Sequence, residues 1–154
     1  SSSSSDEPVR TLPDIELVAA SVRRSATFLE AAEALTTHSV PTIAVLDDAE
    51  RVVGLFDVED LLRGLFPGYL AELRHTAFAS DDPGLLAERA RAVSAQPVEK
   101  HMRKPVTVGV EASATHVAER FLHYDFGALA VVEGKRFVGM LSRADFCRAV
   151  LRQT

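Results

Sequence analysis

The sequence predicts an α/β fold made of two copies of one β-α-β-β-α unit. Two observations carry this prediction. Residues 22–46 match 108–132 at a constant offset of 86, and residues 51–66 match 136–151 at an offset of 85 after one residue is lost in a turn. Along that match the apolar pattern changes from helical to strand-like in the same order in both copies, which chance similarity would not preserve. Identical pairs include Val22/Val108, Ala32/Ala118, Glu33/Glu119, Val45/Val131, Gly54/Gly139, Asp60/Asp145 and Arg63/Arg148.

The elements follow in order. A short strand is expected near Ala19–Val22 and again near Val106–Val110. A helix comes next. Thr27 and Glu30 have the spacing of a capping box, so the first helix starts there, with Leu29, Ala32 and Leu35 on its apolar face; Val117 and Phe121 do the same in the second copy. Ile43–Leu46 and Leu129–Val132 are short branched apolar runs, the signature of a buried strand. Asp47-Asp48-Ala49-Glu50 and Glu133-Gly134-Lys135 read as hairpin turns, returning as strands Val52–Phe56 and Phe137–Leu141. A last helix starts near Val58 and near Arg143.

These copies set the domain organisation: a polar, low-complexity tail at 1–10, a first repeat at 11–66, a helical insert at 67–97 and a second repeat at 98–154. Within the insert, Tyr69–Phe78 and Leu85–Val93 read as helices around the turn Asp81-Asp82-Pro83-Gly84, and Pro97 ends the stretch. The insert helices have apolar faces; packing on the module is the default, and a protein-partner surface is the sharper alternative.

Composition excludes several classes. The chain has 154 residues, 47% hydrophobic and 25% charged, as soluble globular chains do. No apolar run approaches the roughly 18 residues of a membrane helix, so no membrane span is expected. Cys147 is the single cysteine, which excludes an internal disulfide framework and a multi-cysteine zinc site. It takes the place of Leu62 in the first copy and is expected to pack in the core as a small hydrophobe. Net charge is −5, which argues against a broad nucleic-acid-binding face. The five histidines show no paired metal spacing, and no HExxH, P-loop or nucleophile-elbow motif occurs. A cytoplasmic, non-catalytic module with no resident cofactor is therefore expected. The basic run Lys100-His101-Met102-Arg103-Lys104 is read as a solvated segment end, with phosphate contact as the alternative.

The segments VPTIAVLDDAERVVGLFDVEDLL (40–62) and FGALAVVEGKRFVGMLSRADFC (126–147) resemble the cystathionine-β-synthase (CBS) domain family in its tandem, Bateman-module form. That resemblance implies two lobes packed with pseudo-twofold symmetry and a homodimer. It also implies a Gly-x-x-Ser/Thr-x-x-Asp site in which the hydroxyl meets a phosphate and the Asp meets ribose hydroxyls of an adenosyl ligand: AMP, ADP, ATP or S-adenosylmethionine. The second copy matches with Gly139, Ser142 and Asp145; the first has Gly54 and Asp60 but Asp57 in the hydroxyl position.

The chemistry of these residues agrees. A glycine at a strand end allows close approach. A hydroxyl at a helix start lies beside free N–H groups that favour phosphate. A carboxylate three residues later can accept from a ribose diol. Val108, Phe126, Gly127 and Ala128 are candidates for an apolar purine slot, Thr107 is a further ligand-binding candidate, and Asp60 is the first copy's ribose candidate. Both Ser142-x-x-Asp145 and Asp57-x-x-Asp60 are also helix-cap patterns. Asp57 separates the two readings. It caps as well as serine, but two like charges about 4 Å apart repel by roughly 4 kcal/mol at an effective dielectric near 20. The expectation is asymmetric: the second site takes a nucleotide and the first does not take a close phosphate. The leading functional reading is a regulatory module that senses an adenosyl ligand and acts in trans on a protein partner. The rival is a structural dimerisation module without a nucleotide ligand.

Overall fold

The computed structural model describes residues 15–66 and 83–152. The tail at 1–10, the helix expected at Tyr69–Phe78 and the first half of the Asp81–Gly84 turn lie outside the described residues. In chain order the elements are β1 (Ser21–Arg23), α1 (Phe28–His38), β2 (Thr42–Leu46), β3 (Val52–Asp57), α2 (Val58–Leu65), α3 (Pro83–Ser94), a 3-10 turn (Val98–Lys100), β4 (Thr107–Gly109), α4 (Ala114–His123), β5 (Ala128–Glu133), β6 (Arg136–Ser142) and α5 (Arg143–Arg152). Each copy is thus β-α-β-β-α, as the repeat predicts.

Each lobe holds one three-stranded sheet. The orders are β1-β2-β3 and β4-β5-β6, with the first pair of each sheet parallel and the second antiparallel. The parallel pairs need a crossover, which α1 and α4 supply. The two helices begin at equivalent residues, because Thr27 and Ser113 are both N-caps: Thr27 Oγ1 accepts from Glu30 N–H and Glu30 returns the bond, while Ser113 Oγ accepts from His116 N–H. The buried face of α1 is Phe28, Ala31 and Leu35 rather than Leu29, Ala32 and Leu35. Both sets have helical spacing. Phe28 wins because its ring packs edge-on against Phe56 of the sheet at 5.6 Å, leaving Leu29 half exposed. In α4, Val117 and Phe121 are buried as expected.

The strands β2 and β5 lie at the centre. All five residues of β2 are buried, and Ala128–Val131 of β5 are equally so. Both carry an irregularity at the same repeat position, between Val45 and Leu46 and between Val131 and Val132. Gly54 and Gly139 pair opposite these points. The segments that enter each lobe cross to the other one. Val18 bridges Met140 of β6, and Arg103 bridges Leu55 of β3. Gly139 exists for this crossing: a Cβ there would stand 2.7 Å from Leu17 Cβ. The close approach that the strand glycines allow is made by the chain itself.

Two further expectations change. Cys147 is exposed, not packed in the core. Its repeat equivalent Leu62 is also more than half exposed, and the buried residue of α5 is Phe146. The insert helix α3 buries only Val93, with Leu85 and Leu86 exposed.

Candidate functional site

The two Gly-x-x-x-x-x-Asp segments end in the same place, the N-terminus of the last helix of each lobe, but they meet different surroundings. In the first lobe Asp57 caps α2. Its Oδ1 accepts from Glu59 N–H at 2.9 Å, and the Asp57 N–H donates to Asp60 Oδ2 at 2.9 Å. Both carboxylates are nearly buried, at 8% and 4% exposed. A buried carboxylate must find donors. Asp57 Oδ2 finds two across the lobe boundary and beside it: Gly127 N–H at 3.1 Å and Thr42 Oγ1 at 2.5 Å. Thr42 in turn accepts from Ala128 N–H at 3.1 Å. Asp60 finds Arg103, whose Nε stands 3.0 Å from both carboxylate oxygens. The Arg103 guanidinium also lies over the Phe126 ring at 4.1 Å and donates to the Asp125 carbonyl at 3.3 Å. A cavity of about 490 Å³ opens beside it, lined by Arg103, Thr107, Tyr124 and Phe126 among others.

In the second lobe Ser142 Oγ accepts from Asp145 N–H at 3.1 Å. The Asp145 carboxylate is partly exposed and meets Arg148 at 3.2 Å, one helical turn on. That surface pair is weak. The contrast follows from residue identity at matched positions. The counterpart of Gly127 is Pro41, which has no N–H to offer Ser142. The counterpart of Thr42 is Ala128, which has no hydroxyl. The bridges Leu55–Arg103 and Met140–Val18 are repeat equivalents, so valine stands where the first lobe has its arginine. Phe126 matches Val40.

The structure divides the nine sequence-derived site residues into two groups. Gly127 meets Pro41 and Asp57; Phe126 meets Arg103, which holds Asp60; Thr107 lines the cavity beside them. Ala128 is bonded to Thr42 on the same side, and Val108 is buried in the core. Gly139 instead meets Leu17 and Val18, on the side of Ser142 and Asp145. The repeat equivalents of Arg103 and Phe126 on that side are Val18 and Val40, neither of them among the nine. Thr42 and Arg103 were missed as well. Thr42 is the one polar residue of an otherwise apolar strand, and that was its signal. Arg103 differs from the expectation of a solvated segment: its side chain is 28% exposed, while Lys100 and Lys104 beside it are exposed. Among the described residues no group of His, Cys, Asp or Glu is arranged to hold a metal ion. No described helix is long and apolar enough to cross a membrane.

The CBS domain family model matches this chain at residues 9–66 and again at 98–152. The chain belongs to the CBS domain family. The tandem arrangement is the paired form, and its fold matches solved CBS pairs. A CBS domain protein of Pyrobaculum aerophilum complexed with AMP superposes with a TM-score of 0.70 at 21% identity, covering 94% of this chain and 97% of that one. The CBS domain of a CBS-domain-containing membrane protein of Sphaerobacter thermophilus gives 0.68 at 22% identity, covering 93% and 87%. At this identity the likeness is one of fold. An uncharacterised protein of Methanocaldococcus jannaschii is 28% identical over 114 residues. This chain spans about a quarter of that relative's length.

Proposed function

We propose that this CBS pair is a non-catalytic regulatory module that senses an adenosyl ligand in its second cleft and acts in trans on a protein partner. The observation that carries this is how differently the two motifs are engaged by the rest of the protein. Asp57 and Asp60 spend their oxygens on the protein, whereas Ser142 and Asp145, among the described residues, hold only a cap bond and a surface ion pair. A hydroxyl at the N-terminus of α5 suits a phosphate. Asp145 suits a ribose diol, and Val18 and Val40 supply an apolar wall for a purine. The Pyrobaculum relative's AMP supports the ligand class. The homodimer belongs to the same reading: Val58 and Leu62 on α2, and Cys147 and Leu151 on α5, expose matching faces of two repeat-equivalent helices. The cytoplasm is the proposed location.

Thermal unfolding with AMP, ADP, ATP and S-adenosylmethionine tests the reading. A ligand present at about 100 times its Kd adds about 2.7 kcal/mol. At least one should raise Tm for the native protein and none should do so for Ser142→Asp, where a phosphate would face a carboxylate. If no adenosyl ligand moves Tm, the module is a structural one; if the two proteins respond equally, the assignment of the ligand to Ser142 is wrong.

A further inference from the structure

We infer that the first cleft carries its own occupant, the Arg103 side chain, and that this arginine, more than Asp57, sets how many nucleotides the chain holds. The inference rests on the nucleotide reading of the paired clefts. Arg103 makes the kinds of contact that a nucleoside would make. Its flat guanidinium lies over Phe126 at 4.1 Å, as a base would stack. Its Nε donates to the Asp60 carboxylate at 3.0 Å, as a ribose hydroxyl would. Its Nη1 donates to the Asp125 carbonyl at 3.3 Å. Arg103 is held in place by the backbone as well, since its N–H and C=O both pair with Leu55 at 2.9 and 3.0 Å. A planar cation is well matched to both a ring face and a carboxylate.

The fit is incomplete in one respect. Nη2 of Arg103 is buried and has no hydrogen-bond partner among the described residues. An occupant with one unmet donor is displaceable in principle, but a neutral ribose would have to replace a full charge at Asp60, which is 4% exposed. Such an exchange leaves the buried carboxylate, among the described residues, to the mostly exposed Arg63 alone, 3.6 Å away. In the second cleft the equivalent bridge residue is Val18, which has no charge to give Asp145. One arginine in one of two entering segments therefore makes a two-site scaffold a one-site protein.

AMP stoichiometry by calorimetry on the full chain tests this, with each variant's fold checked by circular dichroism and thermal melting. The native protein is expected to bind about one AMP per chain, and Asp57→Ser alone to leave that number unchanged. The double variant Arg103→Met/Asp57→Ser should bind one more. If the methionine variant does not fold, Arg103→Gln/Asp57→Ser, which keeps a donor for Asp60, should show the same gain. A second AMP on Asp57→Ser alone overturns the inference, since the arginine would then be no barrier. So does a folded double variant that binds no more than the native protein. If the native protein binds none and the double variant binds one, the reading of the second cleft fails and the role of Arg103 stands.

Discussion

Thr42 holds the closed cleft together, and its replacement by valine isolates how much. Valine matches the shape of threonine and removes only the hydroxyl. In the native protein that hydroxyl, at 0% exposure, donates to Asp57 at 2.5 Å and accepts from Ala128 N–H at 3.1 Å. A bond to a charged group contributes about 1.5–3 kcal/mol, and an orphaned buried N–H costs about 1–3 kcal/mol. The added methyl regains part of this through burial, about 0.8 kcal/mol. The expected loss is about 3 kcal/mol. At roughly 2–4 °C per kcal/mol for a chain of this size, Tm should fall by about 6–12 °C. Urea unfolding with an unchanged slope would confirm that the native state lost the energy. The assay becomes decisive as a cycle with Asp57→Ser. Without the carboxylate the threonine hydroxyl has less to lose, so the two changes should fail to add by more than about 1 kcal/mol. A loss under about 1 kcal/mol for Thr42→Val, or strict additivity, would refute the claim that these groups form one buried network.

Two other sites give measurable outcomes. Burial, then the charge of Lys100, holds the His101 pKa below its ordinary value, with Asp60 acting the other way. The unfolded chain then binds the proton more readily, so stability is full above the unfolded pKa of about 6.5 and declines as pH falls below it. The urea midpoint should drop between about pH 7.5 and 5 in the native protein and stay flatter in His101→Gln; equal slopes would remove His101 from the account. At Gly127 an added Cβ would stand 2.6 Å from Pro41 Cβ, with no flexible side chain to yield. Gly127→Ala should cost about 1–3 kcal/mol by calorimetric melting. Gly109→Ala, whose Cβ meets nothing nearer than 4.0 Å, should stay within about 0.5 kcal/mol of native.

The fold was legible because the repeat supplied each element twice. A weak pattern in one copy, such as the start of α4, was fixed by a strong one in the other, the Thr27–Glu30 capping box. The helix face at Leu29 was misread because two apolar sets one residue apart both fit a helix, and only contact with Phe56 decides between them. Cys147 was misread for a related reason: an apolar match to Leu62 says nothing of burial when Leu62 is itself exposed. At the site, the motif residues could be read but their partners could not. Arg103 comes from a segment 43 residues after Asp60, and only the crossing of the entering strand brings them together. The useful signal lay in the positions where the copies differ. Pro41 against Gly127 and Thr42 against Ala128 fall inside the matched run, where identities mark the shared fold and differences mark the site.

Those differences are interdependent, and their joint effect bears on how a signal could pass. Asp57 requires Thr42 and the Gly127 N–H; supplying proline at 127 or alanine at 42 would leave a buried carboxylate short of donors. Ser142 makes no such demand, so proline and alanine are tolerated opposite it. The result is one fixed joint and one adaptable cleft. Rotating the lobes as rigid bodies would break Asp57–Gly127, Thr42–Ala128 and Arg103–Asp125 together. At about 1.5–3 kcal/mol for the charged bonds and about 1 for the neutral one, that is roughly 4–7 kcal/mol. A micromolar ligand has only about 8 kcal/mol of binding energy in total, and only its differential affinity can shift a conformation. The response to a ligand in the second cleft should therefore be local. Hydrogen exchange with and without saturating AMP should change protection around Leu17–Ala20 and Ser142–Asp145 and leave Thr42–Asp57 unaltered. Equal changes at both ends would mean that the first cleft is no fixed joint, and that the lobes do rotate when ligand binds.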